Sequence, residues 1–297
     1  MRTLPSSLLP RLLSTLILWS LIITVVIMKS EIGYCLLIAT AALGSLWEYF
    51  WLLKVSNLPR NWHIGYTAGI SLLVGNCWLF HNSILSDKNL IFVFDAFVMV
   101  VTIFVLFFRE FFRPQNSQRV SAEGIAFTLF GVIYIPWLFS FVLKILYFLP
   151  RTSTGELPGM YYALLLIIIT KFSDVGAFLF GSLLGKHLFC PNISPKKTWE
   201  GFFGAIVLSL ACSLIFYVLF QSQLTLLTPV TLIILSLSLA SIGIAGDLAE
   251  SLLKRSLHTK DSSHTLPGIG GGMDLIDSIL FTAPIFYFVL QFILVRS

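Results

Sequence analysis

The chain has 297 residues, of which 57% are hydrophobic and only 11% are charged, and its mean hydropathy is +0.91. A water-soluble globular domain of this length would not carry so apolar a sequence, so we expect an integral membrane protein. The net charge of +5 does not indicate a nucleic-acid partner, because basic residues also accumulate on the cytosolic faces of membrane proteins.

Nine apolar runs follow one another along the chain, each long enough to cross a hydrocarbon core of about 30 Å at 1.5 Å per helical residue. They lie near residues 12–28, 32–53, 64–80, 90–108, 122–143, 157–180, 198–220, 227–246 and 274–295. The first run is not followed by a small-residue cleavage site, so we expect it to remain as a transmembrane helix. The runs are continuously apolar rather than alternating, which predicts an all-α polytopic transmembrane helical bundle and excludes a β-barrel.

The basic residues predict the orientation of the bundle. If the N-terminus lies in the cytosol, thirteen lysines and arginines fall on the cytosolic side and five on the other side, which favours this topology. The polar loops 181–197 and 247–273 are then cytosolic, and so is any chemistry that they carry. Residues 1–150, whose polar residues inside the membrane are few beyond Asp95, are expected to form scaffold helices, and residues 151–297 a catalytic region of the same membrane unit.

An acidic stripe follows the eighth run. In GDLAESLLKR, Asp247, Glu250, Ser251 and Lys254 stand at i, i+3, i+4 and i+7, which places them on one face of a helix. Such a stripe can hold metal and phosphate together, or it can be a solvated helix end with internal ion pairs. The stripe alone leaves both interpretations open.

A glycine-rich stretch, LPGIGGGMDLIDS, opens the last run. Its glycines let backbone amides approach an anion closely, and the helix that follows adds the positive end of its dipole. Asp274, Asp277 and Ser278 stand at i, i+3 and i+4 and so fall on one face of that helix, opposite the acidic stripe. Glycines alone are equally typical of a hinge, but carboxylates without a cysteine or histidine set indicate Mg²⁺ or Mn²⁺ rather than Zn²⁺.

Two further polar elements lie in the same half of the chain. Ser194 and Pro195 have the pattern of an N-cap and first helical position, followed by two lysines that serve either phosphate binding or membrane topology. Lys171 and Asp174 stand three residues apart within the sixth run. Ionisable residues at membrane depth are usually functional, although a mutual ion pair that only stabilises the bundle is the alternative.

These elements together resemble the phosphatidate cytidylyltransferases, or CDP-diacylglycerol synthases, of the bacterial type. The family pattern of S-x-x-K-R, K-D and P-G-H-G-G-x-x-D-R-x-D is matched in register by Ser251, Lys254, Arg255, Lys260, Asp261, Pro267, Gly268, Gly270, Gly271, Asp274 and Asp277. The blocks that begin at Asp174, Ser194 and Gly246 also fit, so the resemblance covers about residues 170–280. Ile269 and Leu275 replace the histidine and arginine that are usual in the family. The acidic residues of the motif are intact, so the replacements bear on the expected substrate contacts nearby.

The resemblance implies a transfer of the cytidylyl group of CTP to phosphatidate, with CDP-diacylglycerol and pyrophosphate as products. It implies a Mg²⁺ or Mn²⁺ cofactor, a membrane lipid environment, a homodimer and the bacterial inner membrane. The implied metal ligands are Asp247, Asp274, Asp277 and Glu250. The implied catalytic residues are Asp247, Asp274, Lys254, Arg255, Lys260 and Asp261. The implied substrate-binding residues are Ser194, Lys196, Lys197, Gly268, Gly270, Gly271, Asp174 and Ser251.

Three other functions remain open on the sequence. A CTP-dependent lipid kinase would use a similar metal and nucleotide site, and enzymes that make CDP-linked ether lipids share the acidic cluster. A secondary transporter is more distant, because its charges would lie near the bilayer midplane and its halves would often be related.

Overall fold

The computed structural model describes residues 8–82, 88–112, 122–150, 157–257 and 270–296, and side chains within these ranges except at residues 8–15, 88 and 296. Helices joined by short connections make up nearly all of these ranges. They are α1 (Leu8–Met28), α2 (Glu31–Val55), α3 (Trp62–His81), α4 (Lys88–Phe111), α5 (Ala122–Val132), α6 (Leu138–Leu146), α7 (Gly159–Leu184), α8 (Trp199–Leu219), α9 (Pro229–Ser256) and α10 (Gly272–Arg296). A two-stranded antiparallel hairpin of β1 (Leu188–Cys190) and β2 (Ser194–Thr198) separates α7 from α8.

The all-α polytopic bundle is confirmed. Within the described ranges, seven helical segments are long and apolar enough to cross a membrane: Glu31–Val55, Asn89–Phe111, Ala122–Leu146, Gly159–Leu184, Trp199–Leu219, Pro229–Ser256 and Gly272–Val295. Leu16–Met28, the part of α1 whose side chains are described, is also apolar. Seven of the nine expected spans are therefore confirmed in this part of the chain. The helix α3 is absent from the seven, since polar residues such as His63 and Asn76 interrupt its apolar sequence.

The helix α9 continues beyond the end of the eighth apolar run to Ser256, which confirms that the whole acidic stripe is helical. One local feature differs from the sequence prediction. In the fifth run, a π-helical turn, Ile133–Trp137, separates α5 from α6 and contains Pro136. A proline lacks the amide hydrogen that an α-helix needs at that point, and the wider turn accommodates it.

The chain divides into two compact units. The first contains Met1–Leu143 and Leu257–Ile276, and the second contains Lys144–Ser256 and Asp277–Ser297. The expected regions 1–150 and 151–297 stay a prediction; among the described residues, Leu257 and residues 270–276 group with the N-terminal helices. The first unit has an apolar core around Leu72 of α3, Val98 of α4 and Val132 of α5.

The helices α7 and α8 of the second unit cross at their backbones. A Cβ atom built on Gly176 would lie 2.5 Å from the carbonyl oxygen of Gly204, and one on Gly201 would lie 2.8 Å from that of Ala177. Small residues allow helices to approach this closely in a membrane, where van der Waals packing replaces the hydrophobic driving force. The crossing fixes Asp174 of α7 relative to the start of α8.

Candidate active site

Three carboxylates form a cluster in the second unit. Asp247 and Glu250 come from α9 and Asp277 comes from α10, and one carboxylate oxygen of each lies within 4.8 Å of the others. Glu250 and Asp277 are buried, whereas the side chain of Asp247 is 39% exposed, so the cluster is accessible at Asp247. Like charges at this distance repel each other strongly where water is scarce, so the arrangement favours a bound cation or a proton held by one of the carboxylates.

Two lysines supply part of that positive charge. The Nζ of Lys197, on β2, lies 2.8 Å from Oδ2 of Asp247 and donates to the carbonyl oxygen of Ile244 at 3.3 Å. The Nζ of Lys254 lies 2.8 Å from Oε1 of Glu250, one helical turn away on α9. The predicted stripe on one face of α9 is thus confirmed for Glu250 and Lys254, which form its internal ion pair. Ser251, between them in sequence, is half-buried.

Asp174 on α7 is linked to the same cluster through Ser278. The Oγ of Ser278 lies 3.2 Å from Oδ1 of Asp174 and 3.2 Å from Oδ1 of Asp277, and the amide of Ser278 donates to Oδ1 of Asp277 at 2.5 Å. The other oxygen of Asp174 accepts from Nζ of Lys171 at 3.3 Å, which confirms the predicted pair at i and i+3. Three helices, α7, α9 and α10, therefore contribute to one polar site.

Gly246 explains why the carboxylates of α9 and α10 meet. A Cβ atom built on Gly246 would lie 2.7 Å from the carbonyl oxygen of Asp277 and 3.1 Å from Cα of Ser278. The two helix backbones thus touch at the residue that precedes Asp247. Without that approach the side chains of Asp247 and Asp277 would be separated by the width of an intervening side chain.

The hairpin carries the predicted lysines, but its local structure differs from the prediction. Ser194 is paired with Cys190 in the β-hairpin and is not a helix N-cap. The N-cap of α8 is Thr198, whose Oγ1 accepts from the amide of Gly201 at 3.2 Å. Glu200 closes the base of the hairpin, because its Oε2 accepts from the amide of His187 at 3.2 Å.

Lys196 and Arg255 lie at the surface near this hairpin. Lys196 is exposed next to Lys197 on β2. Arg255 is also exposed, and its Nη1 donates to the carbonyl oxygen of Asn192 in the hairpin turn at 3.3 Å. Their predicted contacts with catalysis and substrate stay predictions.

The glycine-rich end of α10 belongs to the first unit. The amide of Gly271 donates to Oδ2 of Asp274 at 2.7 Å, and Gly270 has a φ of +119°, a conformation that favours glycine. The sequence predicts that Gly271 offers its amide to a phosphate, but in this structure that amide is engaged by a carboxylate of the chain. Lys260, Asp261 and Gly268 lie outside the described residues.

Two of the residues that build the site were not among its predicted members. Lys171 was recognised as the partner of Asp174, and Ser278 as a neighbour of Asp277 on the helix face. Their spacing to the aspartates was the available signal. The contact between Asp174 and Ser278 joins residues 104 positions apart, and no local spacing indicates it.

Comparison with known proteins identifies the family of the chain. The profile of the cytidylyltransferase family matches residues 9–293. The phosphatidate cytidylyltransferase of Staphylococcus haemolyticus (strain JCSC1435) is 37% identical over 172 residues, which cover 57% of this chain and 60% of the relative. That of Staphylococcus aureus (strain COL) is 37% identical over 184 residues, which cover 61% of this chain and 64% of the relative. This chain thus spans less than two thirds of the length of these relatives, but the family profile covers nearly all of it. The chain belongs to the cytidylyltransferase family.

Proposed function

We propose that this protein transfers the cytidylyl group of CTP to phosphatidate, which gives CDP-diacylglycerol and pyrophosphate. The observation that carries the proposal is the cluster of Asp247, Glu250 and Asp277 with Lys197 and Lys254 beside it. The family of the chain and the names of its staphylococcal relatives support the same reaction.

We propose Mg²⁺ or Mn²⁺ as the cofactor, held by Asp247, Glu250 and Asp277. Among the described residues, the cluster consists of three carboxylates, which matches the preference of these hard cations for oxygen. Asp274 is a further proposed ligand, on the strength of the motif that it shares with the family. When bound, the ion supplies positive charge to the α-phosphate of CTP and to the departing pyrophosphate.

The lysines of the site position the phosphates. An oxygen of the phosphatidate phosphate attacks the α-phosphorus of CTP, and the bond from that phosphorus to the oxygen bridging to the β-phosphate breaks. The second pKa of a phosphate monoester is about 6, so the attacking group is mostly a dianion at neutral pH and requires no side-chain base. The remaining problem is the approach of two anions, and the ammonium groups of Lys197 and Lys254 lessen their repulsion.

We propose the same placement in the cell that the basic residues indicate. The N-terminus and the site face the cytosol, where CTP is present, and the protein is a multi-pass component of the bacterial inner membrane. A homodimer is proposed from the resemblance to the family. The bilayer supplies phosphatidate directly to a site built from transmembrane helices.

The test is an assay of the purified protein in detergent with CTP, Mg²⁺ and phosphatidate. We expect mass spectrometry to find CDP-diacylglycerol, with release of an equal amount of pyrophosphate and loss of both products on chelation with EDTA. Asp277→Asn is expected to abolish the reaction, whereas Glu123→Gln, at an exposed carboxylate of α5, is expected to retain it.

Other products would identify the alternatives. CDP and a phosphorylated lipid would indicate a CTP-dependent kinase, and activity only with archaeal-type ether lipid phosphates would indicate a CDP-archaeol-type synthase. Uptake of a labelled solute into proteoliposomes without CTP, with no lipid product, would indicate a transporter. Any of these results would overturn the proposal.

A further inference from the structure

A buried carboxylate of the N-terminal helices contacts the start of α10. Glu48 lies within α2, an apolar segment that is long enough to span a membrane, and is only 4% exposed. Its Oε2 accepts a hydrogen bond from the amide of Met273 at 3.0 Å, across 225 positions of sequence. A carboxylate in such a segment is costly unless it is compensated, so its retention indicates a specific task.

The contact falls in the first turn of the helix that carries Asp274. Backbone amides at this position have no carbonyl partner within the helix, and the positive end of the helix dipole favours a carboxylate there. A Cβ atom on Gly272 would lie 3.1 Å from Oγ of Ser45, one turn before Glu48 on α2. The helix α2 is therefore packed directly against this turn.

A second contact joins α2 to the chain just before the segment that contains the glycine-rich motif. The Oγ of Ser56, the C-cap of α2, donates to the carbonyl oxygen of Leu257 at 2.8 Å. Leu257 directly follows α9, and Met273 lies in the first turn of α10. The helix α2 thus binds the chain on both sides of the segment that contains the glycine-rich motif.

We propose that Glu48 is a positioning residue, which fixes the first turn of α10 and with it the carboxylate of Asp274. The inference rests on the proposed function, in which Asp274 acts in cytidylyl transfer. Two carboxylates share the amides of this turn, because Asp274 accepts from Gly271 and Glu48 accepts from Met273. Loss of the acceptor at Glu48 would leave a buried amide without that partner and release the turn that orients Asp274.

The experiment compares Glu48→Gln, Glu48→Ala and wild type in the detergent assay. The glutamine keeps an oxygen acceptor and the alanine does not. We expect Glu48→Ala to lower kcat at saturating CTP by roughly tenfold to a hundredfold, the range found when an orienting partner is lost, and Glu48→Gln to recover most of this loss. The KM for CTP should change little if Glu48 acts only through the first turn of α10, as proposed. Glu31→Gln, on the same helix and paired with His81, is the matched control and should behave as wild type.

Backbone hydrogen exchange provides a readout that does not depend on activity. We expect faster exchange in the peptide covering residues 271–276 for Glu48→Ala, with unchanged exchange in α7 and α8. A Glu48→Ala protein with wild-type kcat and exchange would overturn the inference. Equal losses in both Glu48 variants with exchange raised throughout the protein would overturn it as well, since they would indicate a general stability role. A wild-type protein that makes no CDP-lipid would instead refute the proposed function, while the exchange result would still decide whether Glu48 holds the turn.

Discussion

The substitution Gly246→Ala tests whether backbone contact between α9 and α10 builds the carboxylate cluster. The new Cβ atom would lie 2.7 Å from the carbonyl oxygen of Asp277. Ordinary van der Waals contact would require the two backbones to separate by about 0.7 Å. Metal sites tolerate changes of only about 0.2 Å in ligand distance, and Mg²⁺ is the more demanding because it keeps near-ideal octahedral geometry.

The cost of overpacking and the gain in helix propensity partly offset each other, so we expect the fold to tolerate this change better than the metal site does. Overpacking costs about 1–3 kcal/mol, and alanine in place of glycine within a helix returns up to about 1 kcal/mol. We therefore expect Gly246→Ala to be expressed and folded, with an affinity for the divalent ion that is roughly tenfold to a hundredfold lower.

Two measurements check this expectation. Direct Mn²⁺ binding by electron paramagnetic resonance should weaken, and the Mg²⁺ concentration that gives half-maximal CDP-lipid formation should rise. Gly243→Ala is the matched control, because a Cβ atom there lies 3.7 Å from Cβ of Ser278, which is ordinary contact. Unchanged Mn²⁺ binding in Gly246→Ala, or an equal loss in Gly243→Ala, would refute the reasoning.

Three further predictions concern the same unit. Lys197→Met should lower the Kd for Mn²⁺, because it removes a competing cation from Asp247, and should raise the KM for CTP. A Kd and a KM that both rise or both fall would contradict this. Asp247→Asn should abolish Mg²⁺-dependent product formation without loss of membrane insertion, so a variant that keeps its activity would remove this residue from the metal site. Gly176→Leu should prevent the crossing of α7 and α8 and lower the yield of folded protein, as gel filtration in detergent would show, whereas Ser182→Leu, at an exposed position of α7, should not.

Those parts of the site that depend on helical periodicity could be predicted from the sequence. The pairs of Lys171 with Asp174 and of Glu250 with Lys254 follow from spacings of three and four residues on a helix. The meeting of the acidic stripe with Asp277 was also expected, since both lie at the same end of consecutive spans. What the sequence does not contain is the distance between the helices, which the backbone contact at Gly246 determines.

The errors arose where a local pattern had two structural solutions. Ser194 followed by Pro195 is typical of a helix start, but pairing with Cys190 makes it part of a hairpin and moves the cap to Thr198. Strand pairing depends on residues elsewhere in the chain, and a three-residue partner strand gives little signal. Glu48 was missed for a similar reason, because a single acidic residue in an apolar run carries no indication of a partner 225 positions away.

The hydroxyl group of Ser278 stands between two carboxylates at equal distance, and this has a consequence for communication within the site. A serine hydroxyl carries one hydrogen atom, so at any moment it can donate to Asp174 or to Asp277 but not to both. An ion that engages the Oδ1 atom of Asp277 would turn the hydroxyl towards Asp174 and thereby strengthen its hold on α7. Binding at α10 would in this way reach α7 by the rotation of one bond, without movement of either helix.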